Sequence, residues 1–323
     1  MLRRFLLLLL MAAVLAGCGP AVLVTPSPSP LPPTQVPTTA PTVVPTPAGI
    51  VLTDGLGREV KLASPAQKVV SLAPSNTEIL FAIGAGSQVV GRDEFSDYPA
   101  EAKPVASVGG SMGKYSTEEI VALKPDLVLA AEINSPELVK ELEGLGLTVY
   151  YLKNPTTIEE MYGNLEIVGK LTGHDTTDLV ASLKARVKAV DDKIATVTTR
   201  PSAFYEIDAT DANKPYTYGP GSFGDLLIAR AGGANIGTGL KDAYPQISLE
   251  QIVASNPAII LLGDSAYGAT PEAVKARAGW GGLAAVKAGN IFPIDDNIIS
   301  RPGPRLVDGL EQLAKLFHPD LFK

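Results

Sequence analysis

The sequence predicts an α/β protein built as two lobes of similar plan, one on either side of a single long helix. Three observations carry that prediction. Short apolar runs alternate with stretches of helical periodicity, one αβ segment occurs twice, and an uninterrupted amphipathic stretch lies mid-chain.

The residues ahead of this pattern form a separate region. Arg3 and Arg4 precede an uncharged run from Phe5 to Ala16, an export leader too short to span a bilayer comfortably. It ends in Leu15-Ala16-Gly17-Cys18, a bacterial lipobox in which small residues suit the peptidase and the Cys18 thiol accepts the lipid. Residues 1–17 are therefore read as a lipoprotein signal peptide and 18–48 as the lipidated Cys with a Pro/Thr/Ser-rich tether. Proline fixes φ and removes donors, so the tether cannot pack a core and extends, reaching on the order of 70 Å at ~3 Å per residue.

The folded part follows as an N-terminal lobe (49–174), a connecting helix (175–199) and a C-terminal lobe (200–323). Val51–Thr53 and Glu59–Leu62 flank a Gly55–Gly57 turn and read as a hairpin. Strands are expected at Val69–Leu72, Val89–Gly91, Val105–Val108, Leu127–Ala130 and Val149–Leu152, with helices at Thr77–Gly84, Ser116–Leu123 and Ser135–Leu145. This alternation implies a mostly parallel sheet covered on both faces. Leu179, Leu183, Val187, Val190 and Ile194 then mark one face of a helix over Asp175–Val197, about 35 Å long. The alternation resumes with strands at Ala203–Ile207, Ile259–Leu262 and Asn290–Pro293, and helices at Ser222–Ala231, Ser248–Ser255 and Pro304–Phe317.

Ser116–Leu129 aligns without gaps to Ser248–Leu261, with serine, glutamate, Ile-Val-Ala, proline and the last leucine coinciding. Both copies carry a capping box, Ser116 with Glu119 and Ser248 with Gln251, so each starts a helix at its serine.

Composition narrows the function. The chain is 46% apolar and 19% charged, enough to bury a core, and its 34 acidic against 27 basic residues show no clustered basic surface for nucleic acid. Two histidines and one cysteine exclude a three-His zinc site, disulfides and Cys-based metal sites, and no metal site or cofactor is expected. Gly109-Gly-Ser111-Met-Gly113 has the form of a nucleophile elbow, but its helix waits until Ser116, which argues against a secreted α/β hydrolase. Phe95, Tyr98, Tyr115, Tyr216, Tyr218 and Tyr244 fall in loops after strands, where α/β folds bind ligands and aromatics suit a flat, partly apolar molecule. Trp280 reads as packing, and Arg301 and Arg305 flank a rigid turn, paired either with an anion or at the helix start.

Val69-Val-Ser-Leu-Ala-Pro74-Ser-Asn-Thr-Glu78, Phe95-Ser-Asp-Tyr98-Pro, Tyr216-Thr-Tyr-Gly-Pro-Gly-Ser222, Tyr244-Pro-Gln-Ile-Ser-Leu-Glu250 and Arg301-Pro-Gly-Pro-Arg305 together resemble the vitamin B12/iron-chelate substrate-binding proteins of ABC importers. The resemblance covers the chain from about Gly49 onward. It implies two Rossmann-like lobes joined by one rigid helix, a non-enzymatic role, and a metal chelate in the cleft: a corrinoid such as cobalamin, or a ferric siderophore, with heme disfavoured by the lack of a cleft histidine; the alternative is a secreted α/β hydrolase or a tetrapyrrole-modifying enzyme, against which the shortage of His argues. It places Phe95 and Tyr244 on aromatic positions that clamp a corrin, while Met112 and Ala131 stand where tryptophans would, and Ile298 and Ile299 replace aromatics near Arg301. Pro74, Met112 and Arg301 join Phe95, Tyr115, Tyr216, Tyr218 and Tyr244 as the implied ligand-binding set. Glu118 and Glu250, equivalent in the two copies, resemble glutamates that dock on a two-fold symmetric permease with its ATPase subunits; the alternative is a helix-dipole role. The implied protein is a monomer held at the membrane by its lipid.

Overall fold

The computed structural model describes residues 49–323; Cys18 and the tether lie outside the described residues. A hairpin of β1 (Ile50–Thr53) and β2 (Glu59–Leu62) leads into β3 (Val69–Ser71), α1 (Pro74–Ala82), β4 (Val89–Arg92), α2 (Thr117–Ala122), β5 (Leu127–Ala131), α3 (Pro136–Gly144) and β6 (Val149–Leu152). Helices α4 (Ile158–Thr172) and α5 (Thr177–Ile194) follow, then β7 (Ser202–Glu206), α6 (Phe223–Arg230), β8 (Ala234–Asn235), α7 (Leu249–Ser255) and β9 (Ile259–Leu262). The chain closes with α8 (Pro271–Lys275), α9 (Ala284–Ala288), β10 (Ile291–Pro293), α10 (Asn297–Ser300) and α11 (Leu306–Phe317).

Each lobe holds a four-stranded parallel sheet, β4-β3-β5-β6 in one and β10-β9-β7-β8 in the other. Counted from the start of each lobe, both follow the order second, first, third, fourth. The repeated segment therefore makes the same piece twice: α2 into β5 and α7 into β9, each supplying the third strand beside the first. β3, β5, β6 and β9 are buried along their whole length, which is why they read as continuous apolar runs rather than alternating ones.

Several elements differ from expectation. Val105–Val108 forms no strand and makes one bridge, Arg92 to Ser107, because Pro104 precedes it and Gly109 and Gly110, both at positive φ, follow it. The capping box is complete only at Ser248 and Gln251; Ser116 accepts from the Glu119 amide at 3.3 Å without a return bond. α5 is shorter than Asp175–Val197. Asp175 stays outside and accepts from the Thr177 amide at 2.9 Å, and the β-branched Thr196-Val-Thr-Thr run stops the helix at Ile194. α4 carries no expectation from the sequence. Its Gly169 lets the chain fold back tightly into α5, since a Cβ there would sit 2.6 Å from the Thr176 methyl.

One apolar core runs through both lobes. It takes in Val69, Leu127 and Leu165 of the first, Val180, Leu183, Val187 and Val190 of α5, and Tyr205, Leu261 and Leu310 of the second. Separate cores fill the outer face of each sheet, around Val128 and around Trp280. Ion pairs fasten α5 to its neighbours: Arg186 to Asp308 and Glu311 of α11, and Arg230 of α6 to Asp191.

Candidate functional site

The strand order of each sheet reverses between its first and third strands, the place where open α/β sheets leave a crevice at their carboxyl ends. Both crevices are present. At the ends of β3 and β5 a cavity of about 240 Å³ is lined by Pro74, Ser75, Ala131 and Ile133, and across the gap by Ser300 and Arg301 of the other lobe. At the ends of β7 and β9 lies a cavity of about 680 Å³ lined by Asp208, Thr210, Asp264, Tyr267 and Arg277.

The lobes meet below the first cavity around Glu78, whose side chain is fully buried in α1. Arg305 donates to both its oxygens at 2.8 and 2.6 Å, and Arg301 reaches it at 3.2 Å while also holding Asp97 at 2.8 Å. Burial acts to raise the Asp97 carboxyl, but the Arg301 bond and charge outweigh it and hold it below its ordinary value. The Arg305 guanidinium lies 3.9 Å from the Tyr98 ring centre. Arg301 is thus an interlobe clamp that also borders the cavity, the anion-paired reading of the sequence, with a carboxylate from the opposite lobe.

The sequence-derived site residues separate into three groups. Phe95 (54% exposed), Tyr244 (58%), Tyr216 (44%) and Met112 (93%) present apolar surface in loops from both lobes. Met112 does so from a strained position, φ 50°, inside the Ser111–Gly113 turn. Pro74 and Arg301 border the interlobe cavity. Tyr115 is half-buried and structural: its hydroxyl donates to the Leu72 carbonyl at 2.9 Å and accepts from Asn134 at 2.8 Å, and burial with the nearby Asp93 pushes it up to about 12.

Tyr218 departs from the expectation of a loop aromatic facing ligand. It is 1% exposed, donates to Asp296 at 2.7 Å beside Tyr205, which donates to the same oxygen at 2.8 Å, and backs the Tyr244 ring at 5.9 Å. Gly224 permits this, since a Cβ there would enter the Tyr218 ring. Trp280 is packing, fully buried against Phe204. Ser111 sits on an exposed turn ahead of α2, His318 lies in the other lobe with its Nε2 3.1 Å from the Gly232 carbonyl and His174 lies beside Gly84, so Ser111 has no histidine partner among the described residues.

Sequence reasoning missed Ile133 (74% exposed) at the interlobe cavity, Tyr267 (92%) and Asp264 at the C-terminal-lobe cavity, and Glu78 at the interlobe joint. Ile133 and Tyr267 each stand just beyond a third strand, and position after the repeated αβ segment is the signal that locates them.

Twin lobes fixed around a cleft, with apolar side chains offered from both sides of it, define a ligand-binding protein. The chain belongs to the periplasmic binding protein family, whose match covers residues 69–298. Members of that family are extracytoplasmic and ordinarily bind rather than transform their ligands. The chain is 32% identical over 98% of its length to the uncharacterized ABC transporter substrate-binding lipoprotein YvrC of Bacillus subtilis, covering 96% of that protein. It is 31% identical over 82% of its length to a cobalamin-binding protein of Halobacterium salinarum, covering 73% of it. The crystal structure of the periplasmic vitamin B12 binding protein BtuF of Vibrio cholerae superposes with a TM-score of 0.65 at 27% identity, over 79% of this chain and 98% of that one.

Proposed function

We propose that this chain captures a metal chelate, a corrinoid such as cobalamin or a ferric siderophore, and delivers it to the permease of an ABC importer and its ATPase subunits. The observation that carries this reading is the set of exposed apolar side chains, Phe95, Met112 and Ile133 from one lobe and Tyr216, Tyr244 and Tyr267 from the other, at the carboxyl ends of both sheets. Flat, partly apolar ligands are held by such faces. Cobalamin-binding relatives favour the corrinoid. Heme fits less well because neither histidine reaches the cleft: His174 lies beside Gly84 and His318 against Gly232. The protein works as a monomer without a resident cofactor. Absorption titrations of the full chain in detergent with cyanocobalamin, hemin and a ferric hydroxamate test the reading; saturable binding of none of them would overturn it.

Delivery rests on Glu118 and Glu250, exposed in the first turns of α2 and α7 and without a cation partner among the described residues. Glu250 is held below its ordinary value by its own amide and the Ser248 hydroxyl, so it is charged at neutral pH. Two equivalent carboxylates on pseudo-symmetric lobes suit a two-fold symmetric partner. The Glu118→Ala, Glu250→Ala double variant is expected to keep chelate affinity and lose uptake in vesicles carrying the cognate permease; normal uptake leaves the helix-dipole role alone. Lipidation at Cys18 holds the protein at the membrane, and Cys18→Ser should release it into the soluble fraction.

A further inference from the structure

The corner where α4 hands over to α5 carries a cavity of about 460 Å³ that shares no lining residue with the interlobe one. Gly173, in the left-handed region at φ 77°, ends α4, and Thr176 turns the chain into the 18-residue α5. Thr176 stands where a capping hydroxyl would, but its backbone is not extended (φ -110°, ψ 3°) and its side chain caps nothing. Asp175 takes the Thr177 amide instead, at 2.9 Å, and the Val180 amide bonds back to the Thr176 carbonyl. The amides of Asp178 and Leu179 are left without an acceptor among the described residues, facing out of the helix end.

Thr176 itself points to an occupant. It is 7% exposed, its methyl lies against Gly169, and its Oγ1 makes no hydrogen bond among the described residues. That oxygen is not one of the atoms shut off from solvent, so the surface it keeps faces the cavity that Thr176 lines. A buried hydroxyl and two helix amides without partners are costly unless something meets them. Lys170 of α4 and Lys184 of α5 line the same cavity and make no ion pair among the described residues; Lys184 reaches across to α4, its Nζ 5.4 Å from the Tyr162 ring centre. The acids nearby are Asp175, engaged by the Thr177 amide and hydroxyl, Asp178, exposed and outside the lining, and Glu166, one turn back along α4 from Lys170.

We propose that this corner binds the phosphate group of a phosphorylated small molecule or lipid headgroup, held by the Thr176 hydroxyl, the Asp178 and Leu179 amides and the Lys170 ammonium. The positive end of a long helix favours an anion. Phosphate offers an acceptor oxygen to each of these donors, whereas a carboxylate has only two oxygens in one plane and leaves donors unmet. What the phosphate carries would lie along Val180 and Ala181, between the two helices and toward Lys184. The site stands apart from chelate capture and does not rest on that reading.

The test titrates the full chain, in a non-ionic detergent, with inorganic phosphate and with chloride at equal ionic strength, read on the backbone amide resonances of Asp178 and Leu179. Both should move saturably with phosphate and stay in place with chloride, with or without excess cyanocobalamin. Thr176→Val, which keeps the shape and removes the hydroxyl, should bind phosphate about 5- to 10-fold weaker, and Lys170→Gln about 10-fold weaker. Lys170 is exposed, so its variant reads the site even where Thr176→Val disturbs the corner. Glycerol 3-phosphate and a short-chain phosphatidylglycerol separate the sources: a gain in affinity for the monoester assigns a soluble phosphate ester, a gain for the diester a lipid headgroup, and a gain for neither counts against the proposal. No saturable shift, or equal affinity in wild type and both variants, would mean an adventitious ion only and overturn the site, leaving chelate capture standing.

Discussion

The two lobes share a strand order but fill the ends of their first strands with opposite chemistry. In the N-terminal lobe β3 ends at Ser71, which donates to the Ala73 carbonyl and accepts from Thr77, whose hydroxyl lies 2.7 Å from that of Ser96; Ser96 in turn donates to Asp93. Every member has a partner, and what the lobe shows the cleft is small or apolar. In the C-terminal lobe β7 ends at Glu206, a fully buried carboxylate paired with Arg277, and the half-buried Asp264 carboxyl lies beside it. A duplicated framework need not duplicate a site. One lobe closes the end of its first strand with a hydroxyl network and the other with a buried ion pair.

The largest effect is expected where the lobes are joined. Glu78→Gln removes the charge that answers both Arg301 and Arg305, whose side chains are only 16% and 11% exposed. Breaking a buried pair by removing one partner costs roughly 3–5 kcal/mol, on the order of 10 °C in thermal midpoint for a chain of this size. Asp97→Ala, removing the more exposed partner of Arg301, should cost under about 1 kcal/mol. Calorimetry of the two variants decides the matter, and equal losses would mean that Glu78 is not the joint.

Next come the faces of the cleft. Phe95→Ala with Tyr244→Ala should weaken chelate binding by about 1–3 kcal/mol per side chain while leaving the unfolding of the free protein nearly unchanged, because both rings are more than half exposed. If only one of the single variants matters, ligand lies on one lobe rather than between two.

The polar contrast predicts a smaller, pH-dependent effect. Asp264 titrates in the fold at about 6, above its ordinary 3.8, so the native state favours the protonated form. Its favourable contribution is complete below pH ~4 and is lost as pH rises through ~6. Asp264→Asn should therefore match wild type at pH 4 and be more stable at pH 8 by about 1 kcal/mol, a value discounted because the group is partly exposed and shares its surroundings with Glu206, Asp208 and Arg277. Equal unfolding midpoints at pH 8 would place the carboxylate in a better-solvated setting.

The sheets were legible because burial on both faces writes itself as unbroken apolar runs, and the repeat because both copies keep the serine, glutamate and proline that start and end a helix. α4 was not, since Gly163 and Gly169 interrupt its apolar stripe and suggest a loop, whereas Gly169 serves close packing on Thr176. Of the site, the aromatic loops could be read, but Tyr218 could not be told from Tyr216: they stand two residues apart in one Gly/Pro-rich segment, one facing solvent and one turned onto Asp296. Glu78 is paired with arginines more than 200 residues away and Asp264 feels the like charge of Glu206 about 60 residues away, and sequence spacing carries no trace of such meetings.

Between the ligand-free and the ligand-bound protein almost nothing should move. Two lobes linked by flexible strands close by hinge bending, but here a single apolar core passes through α5 from one sheet to the other. α5 is clamped at Arg186 to α11 and through Asp191 to Arg230, and Glu78 locks the front of the joint. Closing the cleft would have to shear that core or break the buried pairs, each costing several kcal/mol against the 1–3 kcal/mol a single aromatic contact returns. Spin labels at exposed Glu141 and Lys287, one on each lobe, should therefore report distances that differ by less than about 2 Å between free and chelate-bound protein. A shift beyond about 5 Å would mean that the shared core yields and the lobes are separate bodies. The same labels on Glu78→Gln sharpen the point: if the core alone sets the spacing, the distance distribution stays narrow, and if the ion pairs set it, the distribution broadens before ligand is added.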